Sequence, residues 1–432
     1  MRWNKLKYTA IKGTRDILPE EMRAWQFIEE TSRKVLCLYG FQELRTPLFE
    51  ATDLYVRSIG QETDIVKKEM YSFKDMGGRD ITLRPEGTAG VIRAAVENGL
   101  LESECRTKLF YMGPMFRQER PQKGRQREFY QIGAEYLGIR GKIIDENADF
   151  EIINVSLEII NAVDASEKKQ LKDKIKLCIN NIGCPACRIR YLDKLGEYFK
   201  DKYSSMCPDC QRRINTNILR VLDCKDEKDR KIIEKAPVIV DFICENCRKA
   251  YNGLKERLSK IKYYEDPFMV RGLDYYTGNV FEIKYEGLGA QNTILAGGRY
   301  DNLVKELGGP ELSGVGFSLG MERLYITCMS ENVLPRSPYL DVLFVFLGEK
   351  AFKEKEGLLS ETRGNGIKAD RLSEAMPLKT QLKKADKMGC RYAVIIGDDE
   401  INKEKAIVRN LSKSLQEEVD FNNLTAHLKK IL

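Results

Sequence analysis

Four short stretches of this chain hold residues that could do chemistry. The run FRQERPQKGRQREF, 116–129, carries five cations, Arg117, Arg120, Lys123, Arg125 and Arg127, with Phe129 at its end. Arginines on facing strands make a fork for phosphate or carboxylate oxygens, and a neighbouring aromatic ring can stack on a planar base. Read in isolation, such a charge run is more often a solvated face. The turn TLRPEGTAG, 82–90, offers the Glu86 carboxylate, Gly87 and the Thr88 hydroxyl where a helix begins, although an ordinary capping turn has the same composition. GVGFSLGMERL, 314–324, has small residues that allow close backbone approach, followed by Arg323, but it has neither P-loop nor dinucleotide-fingerprint spacing. VRGLDYYTG, 270–278, sets Arg271 near Tyr275 and Tyr276. Consecutive strand residues face opposite sides, so two tyrosines serving one ligand must lie at a turn, and otherwise they are packing residues.

A fifth group is built from cysteine. Cys184-Pro-Ala-Cys187, Cys207-Pro-Asp-Cys210 and Cys244-Glu-Asn-Cys247 are three CxxC pairs, with Cys178 and Cys224 as further thiols. A tetrahedral thiolate zinc takes two such pairs, and proline after the first cysteine suits a tight knuckle. Eight thiols fill two sites, or one site with four left over. The expected role is structural, holding together a segment with little apolar core of its own. No thioredoxin-like strand precedes a pair, which argues against redox work.

What is missing narrows the chemistry further. The chain of 432 residues has a single histidine, His427, in a C-terminal helical stretch where it reads as a surface side chain. Ser-His and Cys-His nucleophiles are therefore excluded, and catalysis must rest on positioning, carboxylates, arginines or metal ions. The net charge of +7 is compatible with nucleic acid without demanding it, and 42% hydrophobic residues can fill two or three cores. There is no signal-peptide run and no apolar stretch of about 18 residues, so a soluble, cytoplasmic protein with no membrane segment is expected. Twelve cysteines then belong to a reducing compartment and favour thiols or metal over disulfides.

The elements that must position these groups follow from periodicity. Apolar residues at helical spacing from Met22 to Tyr39 predict a helix stopped by Gly40, and Gly77-Gly78 predicts a hairpin between MYSF and DITLR. A helix over AGVIRAAVEN follows, with Thr88 as its cap. TKLFYMG and EFYQIGAEYLG read as a long hairpin with a basic tip, and a helix starts near Asp149. Residues 166–262 are Lys- and Cys-rich and lack strand alternation until VIVDFIC, which predicts a mostly helical insertion in a first domain, 1–333. Strands resume at VFEIKYEG and NTILAGGRYD. LPRSPY contains a linker, 334–338, and the β/α alternation of 339–432 predicts a small α/β domain with a partly parallel sheet.

The order of these motifs resembles the class II aminoacyl-tRNA synthetases, and most closely the histidyl-tRNA synthetase family. The likeness lies in KGTRDILPEE, TLRPEGT, FRQERPQKGRQREFYQIGAE, RGLDYYTG, AGGRYD, GFSLGMERL and LKTQLKKADKMGCRYAVIIG, and spans most of the chain outside the Cys-rich insertion. It implies an α+β fold: a six- or seven-stranded antiparallel sheet flanked by helices, with a C-terminal α/β anticodon-binding domain. It also implies a homodimer with QELRTPLFE at its interface. Activity would be ATP-dependent ligation of L-histidine to tRNA(His) through an adenylate, with Mg2+ on the ATP phosphates. By the same resemblance Arg117 holds the α-phosphate and the substrate carboxylate, Arg271 stabilises charge on the α-phosphate, and Phe129 and Arg323 enclose adenine. Glu119 and Arg125 help hold ATP. Glu86, Gly87 and Thr88 form the α-amino subsite, while Glu135, Tyr275 and Tyr276, with Gln131 nearby, read the imidazole. Two other readings belong to relatives of the fold: a regulatory subunit of ATP phosphoribosyltransferase, which lacks the anticodon domain and parts of the ATP motifs, and a non-catalytic sensor of uncharged tRNA within a longer kinase-bearing chain.

Overall fold

The computed structural model describes residues 8–101, 106–139, 146–289, 291–335, 338–373 and 375–432, so the expected linker falls partly outside them, at 336 and 337. The chain divides into two compact units, Met1–Pro335 and Arg336–Leu432.

The first unit is built on an eight-stranded sheet. Its order is Gln42–Glu43, Thr107–Phe116, Glu128–Ile139, Ser313–Gly320, Thr293–Tyr300, Thr277–Tyr285, Ile175–Asn181 and Tyr263–Glu265. The six central strands are antiparallel throughout, and the two short edge strands pair parallel to their neighbours. The sheet is therefore wider than expected by those edges. One of its strands, Ile175–Asn181, also comes from the segment expected to be helical. That run, IKLCINN, sits among lysines and buries its last five residues in succession, so no period-two alternation marks it. VIVDFIC is a short 3-10 turn, Ile239–Asp241, whose apolar residues pack into the insertion while Cys244 is delivered to the next helix.

Strand periodicity sorts the side chains between two layers. Phe110, Ile132, Ala134, Tyr136, Phe281, Ile283, Val315, Phe317 and Leu319 face a core shared with the helices Pro19–Leu38, Glu146–Val163 and Met321–Ser330. Leu109, Tyr111, Leu137, Val280 and Tyr300 face the opposite core, which includes the helix Thr88–Glu97 and the Cys-rich insertion. The insertion contributes the helices Pro185–Lys200, Pro208–Thr216, Glu227–Ile233 and Glu245–Arg257. Buried polar contacts also hold the sheet to its helices, chief among them Arg299, fully buried, with Nη2 2.8 Å from Asp149 Oδ1. AGGRYD thus supplies a structural ion pair, since Asn279 also donates to Asp149 at 2.7 Å. A separate antiparallel sheet, Phe49–Ala51, Asp80–Leu83 and Tyr71–Lys74, contains the hairpin expected at Gly77-Gly78.

The second unit has a five-stranded sheet ordered Ala369–Arg371, Val342–Phe346, Tyr392–Ile396, Lys405–Asn410 and Gln416–Asp420. The first three strands are parallel, as the alternation predicts, and the last two are antiparallel additions. Those two were hidden by polar residues that face solvent on one side. His427 lies on the helix Leu424–Ile431, its Nε2 2.9 Å from Glu417. Among the described residues no helix is long and apolar enough to cross a membrane.

Candidate active site

A cavity of about 280 Å³ opens on the second face of the large sheet, and ten of the residues singled out from sequence line it: Glu86, Arg117, Glu119, Arg125, Phe129, Gln131, Arg271, Tyr275, Tyr276 and Arg323. Period two explains much of the convergence: Phe129, Gln131 and Glu135 lie on one face of the strand Glu128–Ile139, while Ile132, Ala134 and Tyr136 lie on the other.

At one end the walls are cationic. The Arg117 guanidinium stands 5.2 Å from the Phe129 ring centroid and donates from Nε to Pro85 O at 2.8 Å. Arg125 pairs with Glu119 at 2.5 Å, and Arg117 is 3.7 Å from the same carboxylate. Arg323 projects from the first turn of the helix Met321–Ser330. Its Nε and Nη1 donate to Gly124 O at 3.1 Å and to Thr293 O at 2.6 Å, which spans the tip of the hairpin and the next strand. Burial, with Arg125 and Arg117 nearby, pulls the Arg323 guanidinium below its usual range. Like charges crowded in this way favour the binding of an anion. Beside Arg323, burial lifts the Glu322 carboxyl to about 7, although it accepts Tyr130 N–H at 3.0 Å.

At the other end the walls are neutral. Tyr275 and Tyr276 lie in the turn before the strand Thr277–Tyr285, with ring centroids 4.6 Å apart, and both line the cavity, so the turn expected from their adjacency is present. Behind them is a short chain of hydrogen bonds. The Thr88 hydroxyl donates to Glu135 Oε1 at 2.6 Å, and the Tyr300 hydroxyl donates to Oε2. Glu135 is fully buried, and among the described residues no Lys or Arg pairs with it. Burial pushes its carboxyl up to about 8, against the pull of those two hydroxyls. The strand opposite leaves room for it: a Cβ on Gly316 would fall 1.9 Å from Glu135 Oε2. Thr88 and Glu135 therefore sit behind the cavity wall. Gly87 does not line the cavity either, because it is packed under Tyr111, where a Cβ would come within 2.2 Å of the ring.

Glu86 reaches the cavity while serving the helix. Its two oxygens accept Thr88 N–H at 2.7 Å and Ala89 N–H at 2.9 Å, so Glu86, and not Thr88, caps the helix Thr88–Glu97. Burial raises its carboxyl despite these bonds. A carboxylate offers about four acceptor sites, so two remain for a ligand ammonium.

Arg271 joins the two ends. It pairs through Nη1 with Glu282 and lies 5.4 Å from the Tyr276 ring centroid. Glu282 itself accepts from Thr293 at 3.1 Å and pairs with Lys284 at 3.3 Å. Sequence reading missed Glu282 and Tyr300. The available signal for Glu282 was the alternation of polar Glu282 and Lys284 with apolar Phe281 and Ile283 in a strand covered on both faces.

A family model for histidyl-tRNA synthetase matches residues 13–173 and 222–324, and one for an anticodon-binding domain matches 341–431. The chain is 47% identical over 416 residues to the histidine–tRNA ligase of Thermosipho melanesiensis, covering 96% of each. The chain belongs to the histidyl-tRNA synthetase family. It is also 43% identical over 426 residues to the histidine–tRNA ligase of Halothermothrix orenii, covering 98% of this chain and 99% of the relative. Among solved structures, apo histidyl-tRNA synthetase of S. aureus matches with a TM-score of 0.77 at 34% identity, over 98% of this chain and 100% of the other. The family's catalytic match thus runs through every stretch that forms the cavity and breaks at 174–221, within the Cys-rich insertion. The anticodon-binding match fills the second unit.

Proposed function

We propose that this chain condenses L-histidine with ATP to form histidyl-adenylate, releases pyrophosphate, and passes the acyl group to tRNA(His) with release of AMP. One observation carries the reading: a single cavity joins a wall of four arginines to a small end lined by two phenols and backed by a buried carboxyl. The histidine carboxylate attacks the α-phosphorus in line, which calls for orientation and charge stabilisation more than for a protein base. A chain with one histidine, outside the first unit, suits that chemistry.

In this reading Arg117 holds the substrate carboxylate and the α-phosphate, and Arg271 meets the charge that develops on that phosphate. Phe129 and Arg323 enclose adenine, while Glu119 and Arg125 orient the nucleotide. Mg2+ would enter with ATP and would supply charge neutralisation for the leaving pyrophosphate. The free acceptor sites of Glu86 take the α-ammonium group. An imidazole seated against Tyr275 and Tyr276, near Gln131, offers Glu135 an N–H in place of the Thr88 hydroxyl. Thr88 is then free to turn toward the α-amino group, with Gly87 keeping that turn close to Tyr111. A side chain without ring nitrogens would leave the buried carboxyl unmatched, which is a strong form of rejection.

The matched anticodon-binding unit and the arginine set favour this reading over the regulatory one, which is expected to lack that unit and parts of the ATP motifs. The dimer is part of the same proposal: on the three-stranded sheet Phe49 is 54% and Phe73 49% exposed, an apolar face suited to a second copy. So is cytoplasmic residence. The test is transfer of labelled histidine to acid-precipitable tRNA by the purified chain. Charging that needs ATP, histidine and tRNA(His) together is expected, and no charging would overturn the reading.

A further inference from the structure

The cysteines of the insertion are arranged more specifically than their spacing implied. In each CxxC pair the first cysteine is the extended residue capping a helix N-terminus and the second sits at the third helical position: Cys184 and Cys187, Cys207 and Cys210, Cys244 and Cys247. Helix N-termini favour anionic sulfur. The pairs then sort into two clusters.

In the first cluster, Cys184, Cys187, Cys244 and Cys247 bring their sulfurs within 4.8 Å of one another. Cys184 and Cys187 Sγ are 3.5 Å apart, and Cys187 Sγ accepts Cys244 N–H at 3.0 Å. In the second, Cys207 and Cys210 meet Cys224 and Asp229 within the same limit. Cys207 and Cys224 Sγ are 4.0 Å apart, Cys207 Sγ accepts Cys210 N–H at 3.4 Å, and Cys224 Sγ stands 3.5 Å from Asp229 Oδ2. Four ligands around zinc, with Zn–S near ~2.3 Å, place sulfurs roughly 3.8 Å apart, so both cages have the required size. Asp229 is fully buried, and among the described residues no Lys or Arg pairs with it. A buried carboxylate among three sulfurs calls for a cation, and disulfides in that cluster would supply none. Cys178 stays apart in its strand.

Each cluster adjoins a side chain that holds the turn carrying Arg271, Tyr275 and Tyr276. Arg188 follows Cys187, and its guanidinium donates to the backbone carbonyl of Asp274 at 3.4 Å and to that of Tyr276. Asp223 precedes Cys224 and fixes Arg220 at 2.7 Å. Arg220 in turn packs over Gly272, where a Cβ would lie 3.4 Å from its Nη1.

We infer that the insertion binds two thiophilic divalent cations of the zinc type, one in a cage of four cysteines and one in a cage of three cysteines and an aspartate, and that through Arg188 and Arg220 these ions position the amino-acid end of the cavity. The metal part stands alone, and the positioning part rests on the proposed function. Arg188 and Arg220 are positioning residues in this account, acting through the turn and touching no substrate.

Elemental analysis of the reduced, dialysed full-length protein tests the first part, with two zinc ions per chain expected. Cys247→Ser and Asp229→Asn should each lose one ion. After cobalt replacement, the sulfur-to-cobalt absorption remaining in Asp229→Asn should be that of four thiolates on one ion. One ion or none in the wild-type protein, with the thiols open to titration, would overturn the inference. For the second part, KM values are measured by histidine-dependent ATP–pyrophosphate exchange. Mild chelation should raise the KM for histidine about tenfold, the size seen when a supporting partner is lost, and leave that for ATP nearly unchanged. Arg188→Ala should reproduce that rise with both ions still bound, which keeps the test open if a cysteine variant fails to fold. An unchanged KM for histidine in both would overturn the positioning role. Absence of any exchange in the zinc-replete wild-type protein would instead overturn the proposed function, and the metal count would stand or fall separately.

Discussion

The two ends of the cavity handle charge in opposite ways. At the cationic end Arg117 and Arg125 share Glu119, with Arg323 nearby on backbone carbonyls, and the Arg125 side chain is 36% exposed. At the neutral end Glu135 is enclosed by Thr88 and Tyr300, with no Lys or Arg paired to it among the described residues, and burial pushes its carboxyl up to about 8. The first arrangement suits an anion that arrives with its own metal and leaves as pyrophosphate. The second suits a small ligand whose ring nitrogens must be matched one by one. In the proposed function, affinity for the common substrate and selectivity for the specific one fall to different dielectric surroundings within one cavity.

Arg271, which touches both ends, should give the largest effect. Arg271→Ala is expected to lower kcat for ATP–pyrophosphate exchange by about 10³-fold, the scale of an arginine that meets phosphoryl charge. The circular dichroism spectrum should be unchanged, and near-normal exchange would remove the bridge between the ends. Next comes Glu135→Gln. Leaving a buried ligand donor poorly matched, at about 1–3 kcal/mol, should raise the histidine KM by roughly 5- to 150-fold, with little change between low and high salt. Arg125→Ala should behave differently: an ATP KM about tenfold higher at low salt, with a gap that narrows as salt is added, because its pair is partly exposed. Equal salt sensitivity in the two variants would erase the contrast.

The smallest effect is on stability. Burial raises the Glu135 carboxyl from 4.5 to about 8 in the folded chain. The proton it binds therefore favours the folded state fully below about 4.5, and that contribution is lost as pH rises toward 8. Thermal unfolding of the ligand-free protein should show a midpoint that falls over this range relative to Glu135→Gln. Parallel pH profiles would show that Glu135 does not titrate in this way.

Much of the cavity could be read from sequence because motifs that resemble those of the synthetase family carry its residues, and local pattern accounts for how they converge. Phe129, Gln131 and Glu135 share a face by strand periodicity, and two adjacent tyrosines can share a ligand only at a turn. The parts that could not be read depend on distant contacts. Nothing near Glu135 announces that Tyr300 will meet it from two strands away, or that Thr88, which looks like a helix cap, will spend its hydroxyl there while Glu86 does the capping. The strand Ile175–Asn181 was hidden by flanking lysines and became a strand because the sheet edge beside Thr277–Tyr285 pairs with it. Asp229 lacked the cysteine spacing that marked its neighbours, and only the fold places it beside Cys224.

The central claim is that this cavity selects histidine and activates it with ATP. Exchange of labelled pyrophosphate into ATP, measured with the purified chain and Mg2+ for each of the standard amino acids in turn, tests it most directly. Histidine alone should support exchange, with the others lower by about 10³-fold or more, as expected when a site built to match polar atoms meets a ligand without them. Exchange with another amino acid at a comparable rate, or none with histidine, would contradict the account.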